Sequence, residues 1–253
     1  YYPKTMGDAV WSMYDYNRGC CDNICYSGVA DIFRLPKFSL SFFRTQIAEG
    51  SMLPSGKMPY EVFIPAYRDE ILSDTVMVYG NVDEVELVLN GKTIRRQTAD
   101  KGPDSDYIPV PNGGNGKNLH FPPFTFYGVP KERGVLKAVG YHQGKKVAEY
   151  TVKTPGVPER LDITYFESGK PATKNDLLIV YVRMLDKQGV LCPVNGIPVE
   201  LSVQGGEIVG PTSYPLEAGV ASFLVRTGEI SKININATGK GFSTRKSLKV
   251  GKE

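Results

Sequence analysis

The chain is 253 residues long, beyond the ~100–150 residues of a usual domain, so two or more units are expected. Its 30 basic and 27 acidic side chains leave a net charge of +3, too weak and too scattered for a nucleic-acid footprint. No apolar run approaches the ~20 residues of a membrane helix, and neither a membrane nor a nucleic-acid partner is expected.

Tyr1 is not an initiator and no signal-peptide pattern follows it, so the compartment is not legible from this end. The short apolar run Ala9-Val10-Trp11 reads as a strand. It breaks into a loop carrying Asp15, Tyr16, Asn17 and Arg18, side chains suited to sugar hydroxyls. From Lys37 the spacing predicts a helix, with Phe38, Phe42 and Ile47 close to one face and Gly50 just past its end. A strand, a loop and a covering helix make one βα unit, which cannot bury itself. Residues 1–58 are therefore expected to belong to something larger, with Phe33, Phe38, Phe42 and Phe43 needing a partner surface.

The composition then turns to short strands. Val85, Leu87 and Leu89 alternate with Glu84, Glu86 and Val88, and Asn90-Gly91 follows as a two-residue hairpin turn. Val135–Tyr141, the turn Gln143-Gly144 and Lys146–Val152 form a second hairpin, so residues 59–154 read as one antiparallel sandwich. The Pro/Gly/Asn-rich stretch 101–121 inside it exceeds ~12–15 residues, a length that marks functional or mobile loops. Thr154-Pro155-Gly156-Val157-Pro158 is the next boundary. Beyond it, residues 155–253 read as an immunoglobulin-like sandwich with Leu178, Val180 and Val182, Leu201 and Val203, and Ile233, Ile235 and Ala237 facing its core.

Cys20, Cys21 and Cys25 cluster in the first loop while Cys192 stands alone. Their spacing, without a neighbouring histidine, does not meet a structural zinc pattern, and a disulfide within the cluster stands beside free thiols as a reading. His120 and His142 are far apart in sequence and suggest no serine or cysteine triad. No metal or other cofactor is expected.

The motif Trp11-x-x-x-Asp15-Tyr16, then Gly28-Val29-x-Asp31-x-x-Arg34-x-Pro36-Lys37, resembles the end of the catalytic barrel in family 2 glycoside hydrolases, β-galactosidase-like members of Bacteroidetes above all. The likeness continues through Val76–Tyr79, Glu84–Lys92, Pro122–Phe126, Leu136–Tyr141, Thr154–Gly156 and Glu217–Ala221, in the family's domain order. It implies a mainly β chain: two immunoglobulin-like antiparallel β-sandwiches preceded by the last βα unit of a (β/α)8 barrel. A retaining exo-glycosidase acting on β-galactosides or related glycosides is implied with it, in a periplasmic or secreted setting.

Such enzymes hold two carboxyl groups ~5–5.5 Å apart across the scissile bond. In the family these follow barrel strands 4 and 7, so both would precede Tyr1, and this chain alone is expected to be inactive. The implied partners are an oligosaccharide or polysaccharide substrate and the remainder of the barrel.

In the family, the tryptophan after strand 8 walls the subsite of the cleaved sugar. The resemblance gives that role to Trp11, with a cis peptide to Ser12 that turns the indole toward the pocket; a packed core tryptophan is the alternative. Asp15 and Tyr16 would line the same rim, against the reading that Asp15 orders the loop through backbone bonds. Arg18 is a weaker candidate, for an anionic sugar. Ser27-Gly28 stands where the lactose-cleaving enzymes carry Asn-Gly, so their sodium-assisted galactose recognition is not implied here. Arg34 and Lys37 read as structural. A non-catalytic carbohydrate-binding or adhesin-type sandwich protein, or a pair of ligand-free spacers, are the competing functions; residues 1–50 favour the barrel reading.

Overall fold

A computed structural model describes residues 11–17, 19, 24–66, 72–100, 119–166 and 171–251. The expected strand at Ala9-Val10, the side chains of Arg18, Cys20 and Cys21, and most of the 101–121 stretch lie outside the described residues. The chain forms two compact units, one up to Thr154 and one from Pro155. No helix among the described residues is long and apolar enough to cross a membrane.

The first unit opens with two parallel segments. The Val29 N–H donates to the Ser12 carbonyl (3.1 Å), Ala30 to Met13 (3.0 Å) and Asp15 to Ala30 (3.0 Å). Between them lies a two-residue ladder of β1 (Tyr16–Asn17) and β2 (Ile24–Cys25). Helix α1 (Phe38–Thr45) is shorter than the spacing predicts: it stops before Ile47, and Gly50 takes φ +78° beyond it. A small hairpin, β3 (Met52–Leu53) and β4 (Gly56–Lys57), leads into the first sandwich.

That sandwich packs a three-stranded sheet, ordered β5 (Val62–Phe63), β6 (Val76–Gly80), β9 (Phe124–Phe126), on a four-stranded one, ordered β11 (Lys145–Lys153), β10 (Val135–His142), β7 (Glu84–Leu89), β8 (Lys92–Thr98). The alternation in β7 does what its period demands: Val85, Leu87 and Leu89 are buried with Val78, Phe124, Phe126, Leu136 and Ala138. Asn90 (φ 51°) and Gly91 (φ 80°) both take the left-handed conformation of a tight hairpin turn.

The helix finds its apolar partner on this sandwich. Phe38 meets Phe63 edge-on at 5.7 Å, and Phe42 meets Tyr79 at 5.0 Å. Polar contacts fix the seam. Asn81 donates to the carbonyls of Ile47 and Pro59 (3.0 Å each) and accepts the Glu61 N–H (2.6 Å). The Gln46 amide exchanges two hydrogen bonds with the Phe121 backbone (3.0 and 3.1 Å), and Arg44 forks onto Glu61.

The second unit is a sandwich of two four-stranded antiparallel sheets. One is ordered β12 (Pro158–Tyr165), β13 (Leu177–Asp186), β17 (Val220–Thr227), β15 (Gly206–Ile208); the other β16 (Ser213–Pro215), β14 (Pro198–Gln204), β18 (Lys232–Gly239), β19 (Phe242–Lys249). Its core holds the expected Leu178, Val180, Val182, Leu201, Ile233, Ile235 and Ala237, with Val203 partly buried against it. Strand β19 was not anticipated: its inward set, Phe242, Thr244, Lys246 and Leu248, is too polar to read as a core face.

Candidate functional site

The first loop is built around a buried carboxylate. Asp15 is 6% exposed, and its Oδ1 accepts the Gly28 N–H at 2.8 Å and the Lys37 ammonium at 2.6 Å. Lys37 also donates to the Tyr26 carbonyl at 3.0 Å. One side chain thus joins the strand-like segment, the far end of the loop and Lys37, the residue just before α1. Gly28 completes the joint. A Cβ there would overlap the Asp15 nitrogen and the Tyr14 carbonyl carbon, backbone atoms that cannot yield, so the sequence must be glycine for the two segments to touch. Its neighbour Ser27 is exposed, with its Oγ 3.5 Å from the Cys25 sulfur.

A second carboxylate orders the return path. Asp31 accepts the N–H groups of Phe33 and Leu35 at 2.8 Å each. Burial raises its pKa above the ordinary value and outweighs the lowering by those two bonds, with the Asp15 charge adding to the rise. Arg34 sits at φ 72° with its guanidinium 3.8 Å from the centre of the Tyr14 ring. Arg34 and Lys37 are therefore placed as structural anchors.

On this foundation stands an aromatic corner. The Trp11–Ser12 peptide is cis, and Trp11 is 74% exposed. The indole N–H donates to the Tyr16 hydroxyl at 2.9 Å, and the two rings stand at 85° with centroids 6.1 Å apart. Tyr26 and Met13 are exposed on the same loop. The structure thus brings Trp11 and Tyr16 together at the surface and places Asp15 beneath the loop, in the geometry of its loop-ordering reading. The Asp15–Lys37 pair, 22 residues apart, and the need for Gly28 escaped the sequence reading because both depend on how the loop closes. Among the described residues no group of three His, Cys, Asp or Glu could hold a metal ion.

Residues 73–148, within the first sandwich, match a domain of unknown function (DUF4982). A β-galactosidase of Thermoanaerobacter pseudethanolicus is 32% identical over 241 residues, covering 89% of this chain and 30% of its own length. A β-galactosidase of Rhizobium radiobacter is 30% identical over 129 residues, covering 50% of this chain and 92% of its own. Among solved structures, a β-glucuronidase from glycoside hydrolase family 2 superposes with a TM-score of 0.71 at 21% identity, over 90% of this chain and 23% of that one, a likeness of fold. The chain spans less than a third of the first relative's length. By these relatives, its mainly β architecture and the order of its motifs, the chain belongs to glycoside hydrolase family 2.

Proposed function

We propose that this chain is the C-terminal part of a retaining exo-glycosidase acting on β-galactosides or related glycosides, in which Trp11 and Tyr16 form a wall of the sugar-binding subsite. The observation that carries the reading is the aromatic corner itself: an exposed indole held at right angles to a phenol on a loop ordered by a buried, hydrogen-bonded carboxylate. A pyranose offers an apolar C–H face and a rim of hydroxyls. The indole face suits the first, and the Tyr16 hydroxyl, having accepted the indole N–H, keeps its own proton to donate to the second.

Asp15 acts one step back in this proposal. With Gly28 and Lys37 it sets the height and tilt of the corner, and it is a positioning residue. Asp15 and Asp31 are both committed to backbone or lysine partners, so the acid/base and nucleophile are assigned to the barrel that the relatives' greater length accommodates. The two sandwiches support that barrel.

The test is turnover. This chain on its own should not hydrolyse nitrophenyl β-galactoside, and the longer enzyme should. Hydrolysis by the pure chain, lost on changing one of its own carboxylates, would overturn the assignment.

A further inference from the structure

The outward face of β14, β18 and β19 in the second unit differs in kind from the outward face of the first sandwich. There, acidic side chains are interleaved with the basic ones: Tyr141 and Thr93 donate to Glu86 (2.6 Å each), Arg96 pairs with Glu84 (2.5 Å), and Glu149 lies between Lys146 and Lys137. In the second unit the ion pairs use Lys174, Arg183 and Arg226, whereas Lys232, Lys240, Arg245 and Lys249 make none among the described residues. These four all belong to β18, β19 and the turn between them, and all are exposed.

The register sharpens the point. Lys232 lies directly opposite Lys249, and like charges facing each other across a ladder are destabilising. The next rung pairs Asn234 with Ser247, hydrogen-bonded at 2.7 Å, and the next pairs Asn236 with Arg245. Cations therefore recur along the strands at about 14 Å, the length of four extended residues, with Lys240 at the far end. Neutral amides and hydroxyls fill the intervals. That far end opens into a depression of ≈ 460 Å³ lined by Glu200, Thr238, Lys240, Phe242 and Ser243 among others. Glu200 brings the one acidic side chain of the β14, β18 and β19 outward positions.

We propose that this face binds an acidic polysaccharide, a chain of uronate sugars lying along β18 and β19. Charge complementarity selects the occupant: carboxylates on an extended chain would offset the facing lysines, and the planar guanidinium of Arg245 matches a carboxylate in two-point contact. The amides and hydroxyls between the cations suit ring hydroxyls. The strands carry no outward aromatic ring on which a nucleic-acid base could stack.

The experiment is affinity electrophoresis of the full chain in gels containing polygalacturonate, at about 20 mM and about 300 mM salt. Retardation at low salt that is lost at high salt is expected, with no retardation by uncharged galactan. Arg245→Ser with Lys249→Ser should weaken retention at least about tenfold, and Lys232→Ser alone should weaken it less. These positions are exposed, so the melting temperature should not move; should the double variant fail to fold, Lys232→Ser carries the test. Unchanged retention in both variants, no retention of the parent chain, or equal retention by a sulfated glycan or by DNA would overturn the proposal.

Discussion

In the second sandwich the inside holds what oil-like physics would put there. Val180, Val182, Met184, Phe223, Val225, Ile233 and Ile235 are at most 1% exposed, while Arg183, Lys232, Asn234 and Asn236 take outward positions of β13 and β18. The loop around Trp11 is turned the other way. A carboxylate, Asp15, is buried there beside Gly28, Val29 and Ala30, while the indole, Met13 and Tyr26 stand in water. Leaving apolar surface exposed forgoes ~25 cal/mol for every Å², so such a loop relies on directional bonds to a buried polar centre to hold its shape. The first region is organised to be stable, and the second to present something.

That contrast can be broken from either side. The largest expected effect lies in the second sandwich: Phe223→Ala should cost about 3–5 kcal/mol, read as a lowered denaturation midpoint, without altering turnover by the longer enzyme. Next comes Trp11→Ala, which should lower kcat/KM of the longer enzyme at least ~100-fold, about 2.7 kcal/mol of transition-state binding, and leave the melting of both sandwiches where it was. Full activity in that variant would make Trp11 an ordinary surface tryptophan.

Lys37→Met should act between the two kinds. It strips the cation from a carboxylate that, among the described residues, keeps the Gly28 N–H, a local cost of about 1–3 kcal/mol. Amide exchange at Val29 and Ala30 should quicken while the sandwich cores keep their protection; an unchanged pattern would remove Asp15 as the centre of the loop.

The smallest effect is a pH dependence. Asp186 is 2% exposed, and burial alone would raise its pKa, but the N–H groups of Gly156, Val190, Gln188 and Gly189 together hold it below the ordinary 3.8. A carboxylate with a lowered folded pKa contributes stability that is complete above the unfolded value and fades as pH falls through the folded one. The second unit should therefore lose stability on acidification below pH 3.8, and Asp186→Asn should flatten that slope.

The sandwiches were the legible part, because a period of two and a left-handed turn pair are local statements. Val85, Leu87 and Leu89 needed only one another's spacing, and Asn90-Gly91 only its own conformational freedom. Strand β19 was illegible for the opposite reason: an edge strand contributes half-buried groups, and nothing in Phe242–Lys249 insists on a core. At the candidate site the residue types were readable and their levels were not. Whether Asp15 lies above or below the loop is decided by Lys37 and Gly28, and the closure that brings them together joins positions 13 and 22 residues away.

Asn81 spends its side chain on three backbone groups from both sides of the β3–β4 hairpin. A protease that nicks the exposed tip of that hairpin, near Pro54 and Ser55, would cut the only covalent path between α1 and the first sandwich. The pieces should nevertheless elute together, since Asn81, the Gln46–Phe121 exchange and the Arg44–Glu61 fork remain on opposite sides of the break. The two parts behave as a spliced joint, held across the cut rather than by it.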